Sequence, residues 1–120
     1  MQSVIDFLAT DLQRSIWEVS VKEDLAKRGI IVTVTNGDQQ AKEPLNRWIV
    51  KAIESTSDAK RKEFSAYLYD LLFEKLFHNK GFNWAIKTHV DKITDKAFCV
   101  EFIEERPLGN KIKIDFPDLS

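Results

Sequence analysis

The chain has 120 residues and carries 18 Lys and Arg against 19 Asp and Glu, a formal net charge of −1. Its 43% apolar content is that of a folded chain, and its length predicts one domain over residues 1–120 with a single core. One Cys excludes a disulfide framework, no apolar run approaches the roughly 18 residues of a membrane span, and Met1 to Ala9, with Asp6 and no basic start, does not read as a signal peptide, so a cytoplasmic protein is expected.

Ile5, Leu8, Ala9, Leu12, Ile16 and Val19 form one stripe at roughly 100° per residue, which predicts an opening helix. Ser20 followed by Glu23 has the spacing of a capping box, so a second short helix is expected over 21–28, with Gly29 as its left-handed stop. Ile30 to Thr35 is a β-branched run that reads as a strand, ended by a turn at Asn36-Gly37-Asp38. Residues 38–43 are polar and loop-like. Pro44 suits a first helical turn, and Leu45, Trp48, Ile49, Ala52 and Ile53 continue at helical spacing. Ser57 or Asp58 then caps a long helix that runs to about Asn79, with Gly81 beyond it.

The last third changes to a period of two. Trp84, Ile86, Thr88 and Val90 alternate with polar residues, as do Phe98, Val100 and Phe102, and Ile112, Ile114 and Phe116. Three strands with short links predict an antiparallel meander. A turn centred on Thr94 sets His89 opposite Cys99 and Lys87 opposite Glu101. A three-residue hairpin at Pro107-Leu108-Gly109 pairs Glu104 with Ile112 and Phe102 with Ile114. Phe98, Val100, Phe102, Ile112, Ile114 and Phe116 are expected in the core, and Lys87, Glu101, Lys111 and Lys113 in water. The whole is an α+β domain of order α-α-β-α-α-β-β-β, its C-terminal three-stranded antiparallel meander packed against helices.

Two features depart from a plain amphipathic design. In the helix from residue 58, Phe64, Tyr67, Leu68, Leu71, Leu72 and Leu76 form a broad stripe, but Ala66, Tyr69, Phe73 and Phe77 extend it past half the circumference, and Lys75 stands alone inside it. Such a helix is covered on more than one side, by its own chain or by a second copy in a homo-oligomer. In the first helix, Phe7 and Trp17 lie off the main stripe, with Asp6, Thr10 and Gln13 framing Trp17. Trp17, Phe7, Phe73 and Tyr69 are therefore the candidate protein-contact residues.

Charge does not point to a nucleic-acid partner. Residues 1–60 hold 8 basic and 9 acidic side chains and residues 61–120 hold 10 of each, whereas phosphate binding draws on a basic face. Lys60, Arg61 and Lys62, with Lys51 nearby, are the residues such an alternative rests on. His78, near a helix end, reads as a partner of the helix dipole. No Gly-rich phosphate loop, G-x-S-x-G, C-x-x-C or H-E-x-x-H is present. Enzyme readings rest on Cys99 beside His89 as a thiol nucleophile, or on Asp91 or Asp95 with Glu101 as a hard-cation site. The latter lacks the acid-x-Lys pair, because Ile103 follows Glu101 two places on. The expectation is a small non-catalytic module that binds other proteins, such as a regulator, adaptor, inhibitor or subunit of bacterial or phage systems, with no metal or other cofactor.

Overall fold

The computed structural model describes residues 1–13, 17–26, 28–77, 84–104 and 110–115. In chain order the elements are α1 (Gln2–Asp11), β1 (Glu18–Asp24), β2 (Gly29–Asn36), β3 (Gln39–Leu45), α2 (Arg47–Ser55), α3 (Asp58–Phe77), β4 (Trp84–Asp91), β5 (Lys96–Glu104) and β6 (Asn110–Asp115). The class is α+β, with two antiparallel three-stranded sheets, β1-β2-β3 and β4-β5-β6. The observed order, α-β-β-β-α-α-β-β-β, corrects the expected one in its first half. His78, Asn79 and Gly81, the Pro107-Leu108-Gly109 turn and Phe116 lie outside the described residues. No described helix is long and apolar enough to cross a membrane.

The first correction is β1. The opening helix ends at Asp11, and the stretch expected to be helical from residue 21 is extended, pairing Val19 with Val34 and Val21 with Val32. Those two valines also alternate with Glu18, Ser20 and Lys22, so the segment carried a period of two beneath the Ser20–Glu23 cap spacing. Pairing with the β-branched β2 decides between the two patterns. Gly29 is not a left-handed stop. That conformation falls on Arg28, with φ 55°. Gly29 is required because a Cβ there would lie 2.1 Å from the carbonyl oxygen of Leu45.

The second correction is β3. Residues 39–45 form a strand whose Ala41, Glu43 and Leu45 point inward while Gln40, Lys42 and Pro44 point out. Pro44 does not open a helix. It sits on an edge strand opposite Ile31, where a missing N–H can be tolerated. Helix α2 starts instead at Arg47, capped by the Asn46 side chain, whose Oδ1 accepts from the backbone N–H of Ile49 at 3.0 Å. At α3 the expected cap holds, with the Ser57 hydroxyl accepting from the N–H of Lys60 at 3.3 Å.

Helices α2 and α3 lie between the sheets and each touches both. This accounts for the all-round apolar character of α3 within one chain. Phe64 and Tyr67 meet Phe102 of the second sheet with ring centroids 5.4 and 5.5 Å apart, while Tyr69 meets Trp17 at 4.6 Å. The cation inside the stripe is also explained. Lys75 reaches the carboxylate of Glu43, a buried acid on the inner face of the first sheet. One continuous core runs from Val4 and Leu8 through Val32, Ile53, Leu68 and Phe102 to Ile114.

In the second sheet, His89 faces Cys99 and Lys87 faces Glu101, as expected. The pairing of β5 with β6 is shifted by two residues from the expected register, with Phe102 opposite Ile112 and Val100 opposite Ile114. A slip of two leaves every side chain on its original face, so apolar alternation cannot distinguish the two registers. Two burial expectations fail. A bulge after His89 gives β5 one extra residue, which turns Ala97 inward and leaves Phe98 49% exposed. Glu101, expected in water, is only 6% exposed. It sits on the middle strand between Lys87 and Lys113, and its Oε2 lies 3.0 Å from Nε2 of His89.

Candidate functional site

The expected contact residues do not form an open surface. Trp17 is 3% exposed and donates its indole N–H to the carbonyl oxygen of Leu12 at 2.6 Å. Its place off the helical stripe follows from its lying beyond the end of α1, so the expectation that it is exposed is corrected. Tyr69, Phe73 and Phe77 continue from it along α3, with ring centroids 6.2 and 4.6 Å apart. Together with Phe7 they are half-buried against the core.

The basic run is mostly engaged inside the chain. Arg61 donates from Nε to the carbonyl of Ile53 at 2.7 Å and from a terminal nitrogen to that of Glu54 at 2.9 Å. It thereby closes the C-terminal carbonyls of α2, a role suited to a cation at that end of the dipole. Lys60 pairs with Glu63 at 3.7 Å, and Lys62 is exposed.

Of the enzyme candidates, the structure sets His89 opposite Cys99 and beside Glu101. Cys99 is buried, and the Nε2 of His89 is turned to Glu101. Asp91 accepts from the N–H of Ile93 within its own turn at 2.9 Å, and Asp95 turns to α2. Among the described residues, no three His, Cys, Asp or Glu side chains stand close enough to share a metal ion.

The most organised surface lies around the first turns of α2. Asn46 fixes where that helix begins, and its Nδ2 also donates to the Thr88 hydroxyl at 3.4 Å, tying the helix start to β4. At roughly 100° per residue Arg47 and Lys51 share the outer face, with Trp48 to one side and Val50 and Glu54 to the other. On the Trp48 side the β4–β5 turn delivers Asp95, which accepts from the indole N–H at 2.9 Å. The Arg47 guanidinium lies 4.5 Å from the Trp48 ring centroid, within cation–π range. Arg47 and Lys51 stand 3.8 and 3.9 Å from the Asp95 carboxylate. The Trp48 hydrogen bond, and then the two cations, hold the Asp95 carboxyl below its usual range.

On the Val50 side the β1–β2 turn brings up Arg28. A cavity of about 270 Å³ opens there, lined by Met1, Arg28, Arg47, Val50, Lys51 and Glu54. Glu54 is held by the N-terminal amine at 3.2 Å. The tips of the two flanking turns carry the most exposed large apolar side chains among the described residues, Leu25 at 84% and Ile93 at 95%. Of this surface, Lys51 and Asp95 were among the candidates from sequence, Lys51 as a cation for nucleic acid and Asp95 as a metal ligand. Arg28 and Leu25 were hidden by reading 21–28 as helix. A signal was available for Ile93, an apolar residue in the polar turn Asp91 to Lys96.

Comparison with protein-family models, with curated proteins and with solved structures finds no match.

Proposed function

We propose that this chain is a non-catalytic cytoplasmic binding module that acts by protein–protein contact, and that its contact surface is the outer face of α2 with the two hairpin turns beside it. The observation that carries the reading is the exposure of Leu25 and Ile93 on the two turns whose Arg28 and Asp95 reach the α2 surface of the Arg47–Trp48 stack. Exposed aliphatic tips around an ordered Trp and Arg match the composition of interface centres, which favour those two residue types. Phe7, Trp17, Tyr69 and Phe73 are then support for the fold and for α3.

Replacing Leu25 and Ile93 together with Ser tests this. Both side chains are in water, so the melting temperature should hold. Proteins captured from a native-host lysate by the wild type should be missing from the capture by the double variant. Identical captures by the two proteins defeat the reading.

A nucleic-acid partner is the second reading, favoured by the meeting of Arg28, Arg47 and Lys51 on one cavity. It requires mobility shifts of labelled DNA or RNA that weaken steeply with salt. Absence of any shift at low salt removes it.

A further inference from the structure

We infer that the cavity between the β1–β2 turn and α2 receives carboxylate side chains from an acidic, leucine-bearing segment of a partner protein. The inference rests on the contact surface proposed above and adds the chemistry of its occupant. Three cations line the cavity, Arg28, Arg47 and Lys51. The single carboxylate lining it, that of Glu54, is already held by the N-terminal amine. Asp95 lies on the far side of Arg47 and Lys51, bound to Trp48, at distances from both cations that leave their other donors available. Arg28 has no ion-pair partner among the described residues. The cavity therefore offers guanidinium and ammonium donors with little local anion to balance them, an arrangement that recognises carboxylates through charge-assisted hydrogen bonds.

Size and surroundings narrow the occupant further. Clefts that hold a whole small ligand run to roughly 300–1,000 Å³. At about 270 Å³ this one suits one or two side chains of a larger molecule. Leu25 and Ile93, on the turns that carry Arg28 and Asp95, are apolar and exposed, which suits a partner segment with leucines beside its acids. A nucleic-acid backbone fits less well. Three cations are few against the roughly 6–10 phosphate contacts of a typical binder.

The experiment uses the full chain and fluorescence anisotropy at low salt, with three labelled probes. These are a short peptide rich in Glu, Asp and Leu, its twin with every acid replaced by the amide, and a mixed-sequence DNA duplex. The acidic peptide should bind about tenfold or more tightly than its twin or the duplex. The double change Arg28→Asn and Lys51→Gln should remove about tenfold of that affinity. Asn accepts the left-handed backbone that Arg28 occupies, so this variant keeps the fold, which a thermal melt checks.

Equal binding of the acidic peptide and its twin overturns the inference. So does binding of the duplex at least as tight as that of the acidic peptide, an undiminished affinity in the Arg28/Lys51 variant, or no binding of the acidic peptide. If the twin binds equally and loses affinity in the Leu25/Ile93 variant, the contact surface stands and only its acidic occupant falls. If neither peptide binds and the Leu25/Ile93 variant captures the same proteins as the wild type, both fall.

Discussion

Trp17→Ala tests whether the first and last halves of the chain are joined through an aromatic contact in the core. Trp17 is 3% exposed, stands 4.6 Å from the ring of Tyr69 and donates to the carbonyl of Leu12 at 2.6 Å. Truncating a buried aromatic costs about 3–5 kcal/mol in transfer and cavity terms. Loss of the indole donor also leaves the Leu12 carbonyl short of a partner, worth about 1 kcal/mol where water can partly replace it. The total, about 4–6 kcal/mol, is a large share of the roughly 5–15 kcal/mol that holds a domain together. For a chain of 120 residues it corresponds to a fall of about 16–24 °C in melting temperature. Trp17→Phe keeps most of the ring but not the N–H and should cost about 1–2 kcal/mol. Urea unfolding followed by circular dichroism measures both. A melting temperature for Trp17→Ala within a degree or two of wild type would refute the placement of this ring.

Lys75→Met strands the buried Glu43 carboxylate and should cost about 2 kcal/mol, since solvent reaches the lysine end of the pair; adding Glu43→Leu should recover most of the loss, read by denaturant titration of both variants. Gly29→Ala forces a methyl group against the Leu45 carbonyl and should cost about 3 kcal/mol, whereas Gly37→Ala, with no atom within 4 Å, meets only the strain of its positive φ. The Ser65 hydroxyl is buried without a hydrogen-bond partner among the described residues, so Ser65→Ala should stabilise by about 1 kcal/mol; a loss of stability would mean that the hydroxyl is satisfied. Asp95 has its folded-state pKa lowered from 3.8, so its contribution is fully present above that value and disappears as the pH falls through the lower folded value. Asp95→Asn should therefore flatten part of the acid limb of stability against pH and leave Trp48 fluorescence insensitive to acid in that range, while an unchanged limb would show that Asp95 is not coupled to folding.

The second half of the fold was legible because its strands alternate cleanly and are joined by short turns. The His89–Cys99 and Lys87–Glu101 register followed from the position of Thr94 alone. The first half was not, because the evidence for its strands lies in partners distant in sequence. Residues 39–45 are too polar to read as a strand until Ala41, Glu43 and Leu45 are seen to face α3, and Glu43 counts as an inward residue only once Lys75 is known to meet it. At Ser20–Glu23 a local cap pattern competed with strand pairing and lost. The bulge that exposes Phe98 left no trace in composition. As for the candidate surface, Lys51 was visible as a cation on a helix, but the cluster with Arg28 and Asp95 is assembled by two turns from opposite ends of the chain.

Within each sheet the strands pair in chain order, yet the helical layer that closes each sheet is shared between the two halves. This has a consequence for how the chain reaches its fold. Each three-stranded unit can form early by closing short loops, which is entropically cheap and fast. The ties between the units, Trp17 to Tyr69, Glu43 to Lys75 and Phe64 to Phe102, span far longer stretches and complete only when the helices dock. Until then each sheet exposes an apolar inner face. The meeting of the two sheets across α2 and α3 is therefore expected to come late, and the period before it should be when the chain is most exposed to aggregation.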